Sequence, residues 1–277
     1  MNAGSVTPKR ASSLRRGTEI LIALGSDEAL EREGLGVVRI AEIVGTEKSQ
    51  VSRALGAFTA GGLVDRDAES GLYRLGWRLF TLATRSGRPR LIVGAPRYLQ
   101  GLVGMTGETA NLSVLQGGQT LTLLSEAPPS DISAKGWSGR TLPVVCTSAG
   151  RALLFDHDRV ALETLLEHVS FDAFGPRAPD GLDELHRRIR AARDLGYATV
   201  DGEFEPDLVG VAAPVRDPSG RILAAVNVSG PKFRLGSRLT ATGEAVRAAA
   251  AALSESIFSP PEADTDPHRA NPGRVRP

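Results

Sequence analysis

The sequence predicts an α+β protein in two parts, a small winged helix-turn-helix followed by a larger antiparallel sheet flanked by helices. Three observations predict it. Residues 38–76 read as two short helices joined at a glycine and followed by a hairpin with glycine in its turn. After residue 109, strand-like segments alternate with amphipathic helices, and Asp217-Pro218-Ser219-Gly220 supplies a strong turn between two nearly continuous apolar runs. A chain of 277 residues suits two domains, and 41% hydrophobic against 23% charged residues lets each bury a core.

In order, residues 1–12 are expected as a disordered basic tail, and 13–76 as the winged helix-turn-helix. Ser12 or Ser13 opens a first helix with Leu14, Leu21 and Leu24 along one face. Gly34 and Gly36 bracket an acidic connection, which reads as mobile; Val38–Val44 is the next helix, and Gly45 the turn. In the following helix Val51, Leu55 and Phe58 recur at helical spacing, with Thr46 as its cap and Gly61-Gly62 as its stop. Leu63–Arg66 and Leu72–Leu75 then pair across Glu69-Ser70-Gly71.

Residues 77–90 read as a linker that starts helical and breaks at Ser86-Gly87-Arg88-Pro89. Residues 91–258 form the second domain. It opens on a helix aligning Leu91, Tyr98, Leu102 and Met105, then a hairpin turning at Gly117-Gly118 and a loop holding Trp137. A small-residue helix starts after Cys146-Thr147, amphipathic helices cover 158–169 and 180–195, and strands follow at 197–201, 208–215 and 222–229. An Ala-rich helix over 239–258 closes the domain, and 259–277 is expected as a second disordered tail.

Charge points to a partner for the first part. Residues 1–90 hold 14 Lys+Arg against 10 Asp+Glu, whereas 91–277 hold 19 against 22. Basic arms at Lys9–Arg16 and from Arg74 to Arg97 flank a helix whose first turns carry Lys48, Ser49, Gln50, Ser52 and Arg53. A polar-tipped helix backed by a hairpin carrying arginines, here Arg66 and Arg74, is how such a domain enters the major groove of DNA, with arms serving the phosphate backbone. No run of about 18 apolar residues occurs, so no membrane span is expected. The N-terminal basic stretch lacks the apolar segment of a secretory signal. The lone Cys146 excludes an internal disulfide and fits a reducing cytoplasm.

Three segments then carry a family likeness: GTEKSQVSRALGAFTAGGLVDRDAESGLYRLG, PVVCTSAGRALL and GYATVDGEFEPDLVGVAAPVRDPSGRILAAVNVSGP. In their order and spacing the chain resembles the IclR family of bacterial transcriptional regulators, over roughly Leu14 to Ile257. The resemblance implies a winged helix, a linker helix and a GAF/PAS-like effector-binding domain. It further implies a cytoplasmic regulator, a repressor rather than an activator, acting as a homodimer or tetramer on palindromic or repeated half-sites. Its effector would be a small molecule, with organic and aromatic acids among the candidates. Carried onto matching positions, DNA contacts fall on Lys48, Ser49, Gln50, Ser52 and Arg53, with Arg66 and Arg74 on the wing. Lys48 and Ser49 would serve phosphates, and Gln50, Ser52 and Arg53 base edges. Effector contacts fall on Ser148, Ala149, Gly150, Asp201, Glu203, Gly210, Asn227 and Ser229. The chain departs from the family pattern at Glu47, Val145, Arg151, Val200 and Gly210, where Pro, His, Lys, Asp and Cys are usual.

Enzyme chemistry lacks its parts. Cys146 has no histidine near it in sequence, the histidines lack zinc spacing, and no phosphate-binding or metal motif occurs. No catalytic residue, cofactor or metal is expected. The alternative reading keeps DNA binding and makes the second domain a ligand-independent oligomerisation module. Asp201 and Glu203 also read as plain loop carboxylates.

Overall fold

The computed structural model describes residues 13–85, 89–129, 137–171 and 174–258. Both expected disordered tails lie outside the described residues.

The N-terminal part is α1 (Ser13–Leu24), α2 (Asp27–Glu31), α3 (Val37–Val44), α4 (Lys48–Ala60), β1 (Val64–Arg66) and β2 (Tyr73–Leu75). Its core gathers Ile20, Leu24, Leu35, Ile40, Val51, Leu55, Val64 and Tyr73. The expected apolar stripe on α1 is corrected: Leu14 is 82% exposed, and Gly17, Ile20, Ala23 and Leu24 face inward. Gly17 sets that face, because a Cβ there would stand 3.0 Å from the Phe58 ring of α4.

The acidic connection is a built segment. Ser26 Oγ accepts from the Ala29 amide and starts α2. Arg39 donates to both Glu28 oxygens, which holds that carboxyl below its ordinary pKa. Leu35 is buried and exchanges two backbone hydrogen bonds with Tyr73, an isolated antiparallel bridge on the other edge of β2. The cap of α4 also differs from expectation. Glu47 occupies the cap position without a side-chain bond to the helix backbone, while Thr46 donates to Gln50. Gly45 adopts φ 66°, the left-handed turn that joins α3 to α4.

After α5 (Trp77–Thr84) come α6 (Pro89–Thr106), β3 (Thr109–Gln116), β4 (Gln119–Glu126), β5 (Thr141–Pro143), α7 (Ser148–Leu153), α8 (Arg159–Leu165) and α9 (Leu182–Leu195). Then follow β6 (Ala198–Asp201), β7 (Leu208–Arg216), β8 (Ile222–Pro231), α10 (Lys232–Leu235) and α11 (Leu239–Ser256). The strands form one antiparallel sheet in the order β5-β4-β3-β8-β7-β6. The short β5 was not expected from the sequence.

Strand alternation gives the sheet two unlike faces. Ala110, Leu112, Val209, Val211, Ala213, Ala224, Val226 and Val228 pack with α6 and α11. The α6 stripe is Leu91, Ala95, Leu99 and Leu102; Met105 is 67% exposed, contrary to expectation. On the other face Ala198, Ala212 and Ala225 pack beneath α7, α8 and α9. The neighbouring residues on that second face are polar, and they make a cavity.

Candidate functional site

The cavity holds about 350 Å³ and lies between the polar face of the sheet and the start of α7. Its floor comes from strand positions that alternate with the core: Thr109, Asn111 and Ser113 of β3, Thr120 and Thr122 of β4, Asn227 and Ser229 of β8. Trp137, Leu142, Cys146, Val200, Phe204 and Leu208 supply apolar walls. Thr147 caps α7 by accepting from the Gly150 amide and places Ser148 and Ala149 against the cavity. Gly210 lets β7 approach that helix, since a Cβ there would meet Ser148 Oγ at 3.0 Å.

Most of the lining is neutral, and its charged members pair with each other. Arg234 donates to both oxygens of Glu108, at 2.8 and 2.7 Å. Ser113 and Thr122 hydroxyls lie 3.5 Å apart, and Thr120 donates to the Leu142 carbonyl. Cys146 is fully buried, and burial pushes its thiol up to about 12, with the charge of Glu203 adding to the effect.

Of the eight effector positions named from sequence, Ser148, Ala149, Gly210, Asn227 and Ser229 lie on this cavity. Three do not. Gly150 is turned toward Val144, whose carbonyl oxygen would stand 2.3 Å from any Cβ, so it serves packing. Asp201 is held by Arg177 at 2.6 Å and by Lys232 at 2.8 Å. Glu203 is a buried partner of Arg151 and Arg188 rather than a loop carboxylate in solvent. Sequence reasoning missed Thr109, Asn111, Ser113, Thr120, Thr122 and Trp137. The signal was present in the polar half of the β3 and β4 alternation, which reads equally as a solvent face.

The other polar surface lies on α4 and the hairpin. Lys48, Ser49, Ser52 and Arg53 are exposed, on the side of the helix away from buried Val51 and Leu55. Ser49 and Arg53 stand one turn apart, and Arg53 Nε donates to the Ser49 carbonyl at 3.4 Å. Gln50 is half-buried beside α1 and tied to Thr46 at 3.2 Å, so it sits at the margin of that surface. On the wing, Arg66 lies over the Tyr73 ring at 5.4 Å, whereas Arg74 is bound to Asp67 at 2.9 Å. Hydrogen bonds from the Ser70 amide and hydroxyl, with the charge of Arg74, hold Asp67 below the ordinary carboxylate pKa.

The two halves match known families separately. Residues 13–68 match the IclR helix-turn-helix domain, and residues 87–255 match the C-terminal domain of bacterial transcriptional regulator IclR. The chain belongs to the IclR family of bacterial transcriptional regulators. As an IclR-family member it is a DNA-binding regulator, and α4 is the second helix of its helix-turn-helix.

Curated relatives include the HTH-type transcriptional repressor AllR of Klebsiella pneumoniae, 28% identical over 262 residues, covering 92% of this chain and 93% of AllR. AllR of Escherichia coli K12 is 27% identical over 261 residues, with the same coverage. Among solved structures, an IclR homolog from Microbacterium hydrocarbonoxydans in complex with 4-hydroxybenzoate is 26% identical. It covers 89% of this chain and 99% of its own, with a TM-score of 0.72. An IclR regulator from Alicyclobacillus acidocaldarius, 23% identical over 90% of this chain and 99% of its own, shares the fold at a TM-score of 0.70. Among the described residues no helix is long and apolar enough to cross a membrane, and no group of three or more His, Cys, Asp or Glu is placed to hold a metal.

Proposed function

We propose that this IclR-family protein is a repressor whose grip on its operator is set by a small organic molecule bound in the cavity above β3 and β8. The observation that carries the proposal is the cavity itself. A sheet face with six buried hydroxyl and carboxamide side chains, and half-buried Ser229 beside them, around about 350 Å³ is a costly interior unless a ligand uses it. The 4-hydroxybenzoate held by one relative supports an organic acid as one candidate class, and the AllR relatives support repression. The residues we assign to the effector are Ser148, Ala149, Gly210, Asn227 and Ser229, joined by Asn111. No residue here is assigned a catalytic role.

On DNA, Lys48 and Ser49 face the phosphates and Ser52 and Arg53 the base edges, with Gln50 at their margin and Arg66 and Arg74 on the wing. The protein acts as a dimer or tetramer on half-sites about one helical turn apart. Exposed Trp77, Phe80 and Leu82 on α5 support association of copies.

Two measurements test the reading. In titrations of the regulator's operator at several salt concentrations, Arg53→Ala should erase sequence preference, while Lys48→Ala weakens all sequences and flattens the salt slope by about one. Equal effects of both changes on specific and nonspecific DNA would sink that division of roles. A metabolite screen should yield a compound that raises the thermal midpoint and lowers operator affinity together, as differential binding requires. A screen in which operator affinity never responds would favour the ligand-independent alternative.

A further inference from the structure

Resting on the reading of the cavity as the effector site, we infer that Asn111 and Asn227 together recognise a neutral group that both donates and accepts hydrogen bonds, a hydroxyl or a carboxamide, at the buried end of the effector. The two residues are direct cross-strand partners of β3 and β8. Their side chains project from the same sheet face, toward the cavity that both line. They are 6% and 8% exposed. Asn111 Oδ1 is shut off from solvent and has no hydrogen-bond partner.

Polar neighbours already satisfy one another: Ser113 lies with Thr122, Thr120 bonds the Leu142 carbonyl, and Glu108 is clamped by Arg234. Among the described residues, what remains open at the floor is this pair of adjacent carboxamides, with the hydroxyls of Thr109 and Ser229 on the next rung of the same face. Each carboxamide carries a carbonyl acceptor and an N–H₂ donor, and rotating the Asn111 amide only exchanges which of its polar atoms is left buried and in need of a partner. A hydroxyl or carboxamide answers both halves of that demand. A carboxylate brings acceptors only, and the Arg234 guanidinium that faces this cavity is engaged with Glu108. An ammonium brings donors only, and the carboxylate that would balance it is held by Arg234. The walls of Trp137, Leu142, Phe204 and Leu208 suit a flat carbon skeleton carrying that group.

The test uses four benzoates that differ only in the substituent opposite the carboxylate: 4-hydroxy, 4-carbamoyl, 4-methyl and 4-carboxy. Binding to the full chain is followed by isothermal titration. The hydroxy or the carbamoyl compound should bind about tenfold or more tightly than the methyl and carboxy compounds, because a site built on hydrogen bonds rejects an analogue that cannot make them. Which of the two leads tells hydroxyl from carboxamide. Asn111→Leu and Asn227→Leu should each collapse the gap while sparing the methyl compound. The wild-type comparison stands even if one variant fails to fold. Equal binding of the methyl compound, tightest binding of the dicarboxylate, or binding of none at millimolar concentration overturns the inference. The effector reading of the cavity falls separately, only if the operator-affinity screen finds no response.

Discussion

Arg151 of α7 and Glu203 after β6 form a buried, two-pronged ion pair beside the cavity. Arg151 Nη1 donates to Glu203 Oε1 at 3.1 Å and to the Thr199 carbonyl at 2.6 Å, and Nη2 donates to Glu203 Oε2. Arg188 of α9 approaches the same carboxylate at 3.1 Å. The pair therefore fastens the helix that presents Ser148 and Ala149 to the loop that presents Phe204.

Breaking this pair should be costly. Removing one partner of a buried ion pair leaves a desolvated charge, which destabilises by about 3–5 kcal/mol. Arg151→Met is expected at the lower end, since Arg188 still faces Glu203. Replacing both residues, in Arg151→Met with Glu203→Met, should cost less than the single change. Urea titration of the full chain reads both values. A double variant less stable than Arg151→Met would show that the pair contributes by packing rather than by mutual charge compensation.

Gly210 should control access to the effector. A Cβ at this position would meet Ser148 Oγ at 3.0 Å and the Val228 carbonyl at 3.4 Å. Gly210→Val keeps a residue suited to a strand but thrusts two methyl groups toward the helix start. Operator binding without effector should be kept, whereas the concentration of effector needed for release should rise about tenfold or more. Operator titrations with the compound found by screening measure both. An unchanged release curve would place the effector elsewhere.

The fold was open to reading because its signals are local. Apolar periodicity at Val51 and Leu55, the glycine at φ 66° and the Asp217-Pro218-Ser219-Gly220 turn each act within a few residues. What escaped depends on partners far away in sequence. Leu14 looks like core until Phe58 closes on Gly17 and rotates the buried face of α1. The 25–37 connection looks like an acidic spacer until Arg39 binds Glu28 and Leu35 pairs with Tyr73. At the cavity, Thr109, Asn111 and Ser113 show the alternation of a strand with one wet side, and only α7 lying over them makes that side an interior. Asp201 and Glu203 sit two apart near a strand end, yet separate sets of arginine and lysine side chains claim them.

Asp67 should restrain the wing. Its carboxylate accepts from Ser70 and binds Arg74, so one of the two wing arginines is neutralised before DNA arrives. Asp67→Asn keeps an acceptor for the Ser70 amide and removes the charge. Affinity for any duplex should rise severalfold at low salt, and the salt slope should steepen by about one. Relative preference among sequences should stay the same. A change in preference without a change in slope would mean that the turn positions the wing and that its charge is incidental.

Cys146 should give the second domain an alkaline limit. Its thiol is fully buried on the cavity wall, and burial raises its pKa to about 12. In the unfolded chain a cysteine titrates near about 8.5. Between those values the unfolded state has released a proton that the folded state retains, so unfolding is favoured as pH rises. The stability associated with the protonated thiol is thus complete below about pH 8.5 and is lost progressively as pH climbs toward 12. Denaturant midpoints from pH 8 to 10.5 should fall with a slope that Cys146→Ala reduces. The same burial keeps the native thiol inert, so iodoacetamide should label it only through opening of the domain. A ligand in the cavity should slow that labelling in step with its occupancy. Rapid labelling of the native protein at pH 8, unaffected by denaturant, would mean that the thiol opens to solvent without unfolding and that the alkaline limit has another source.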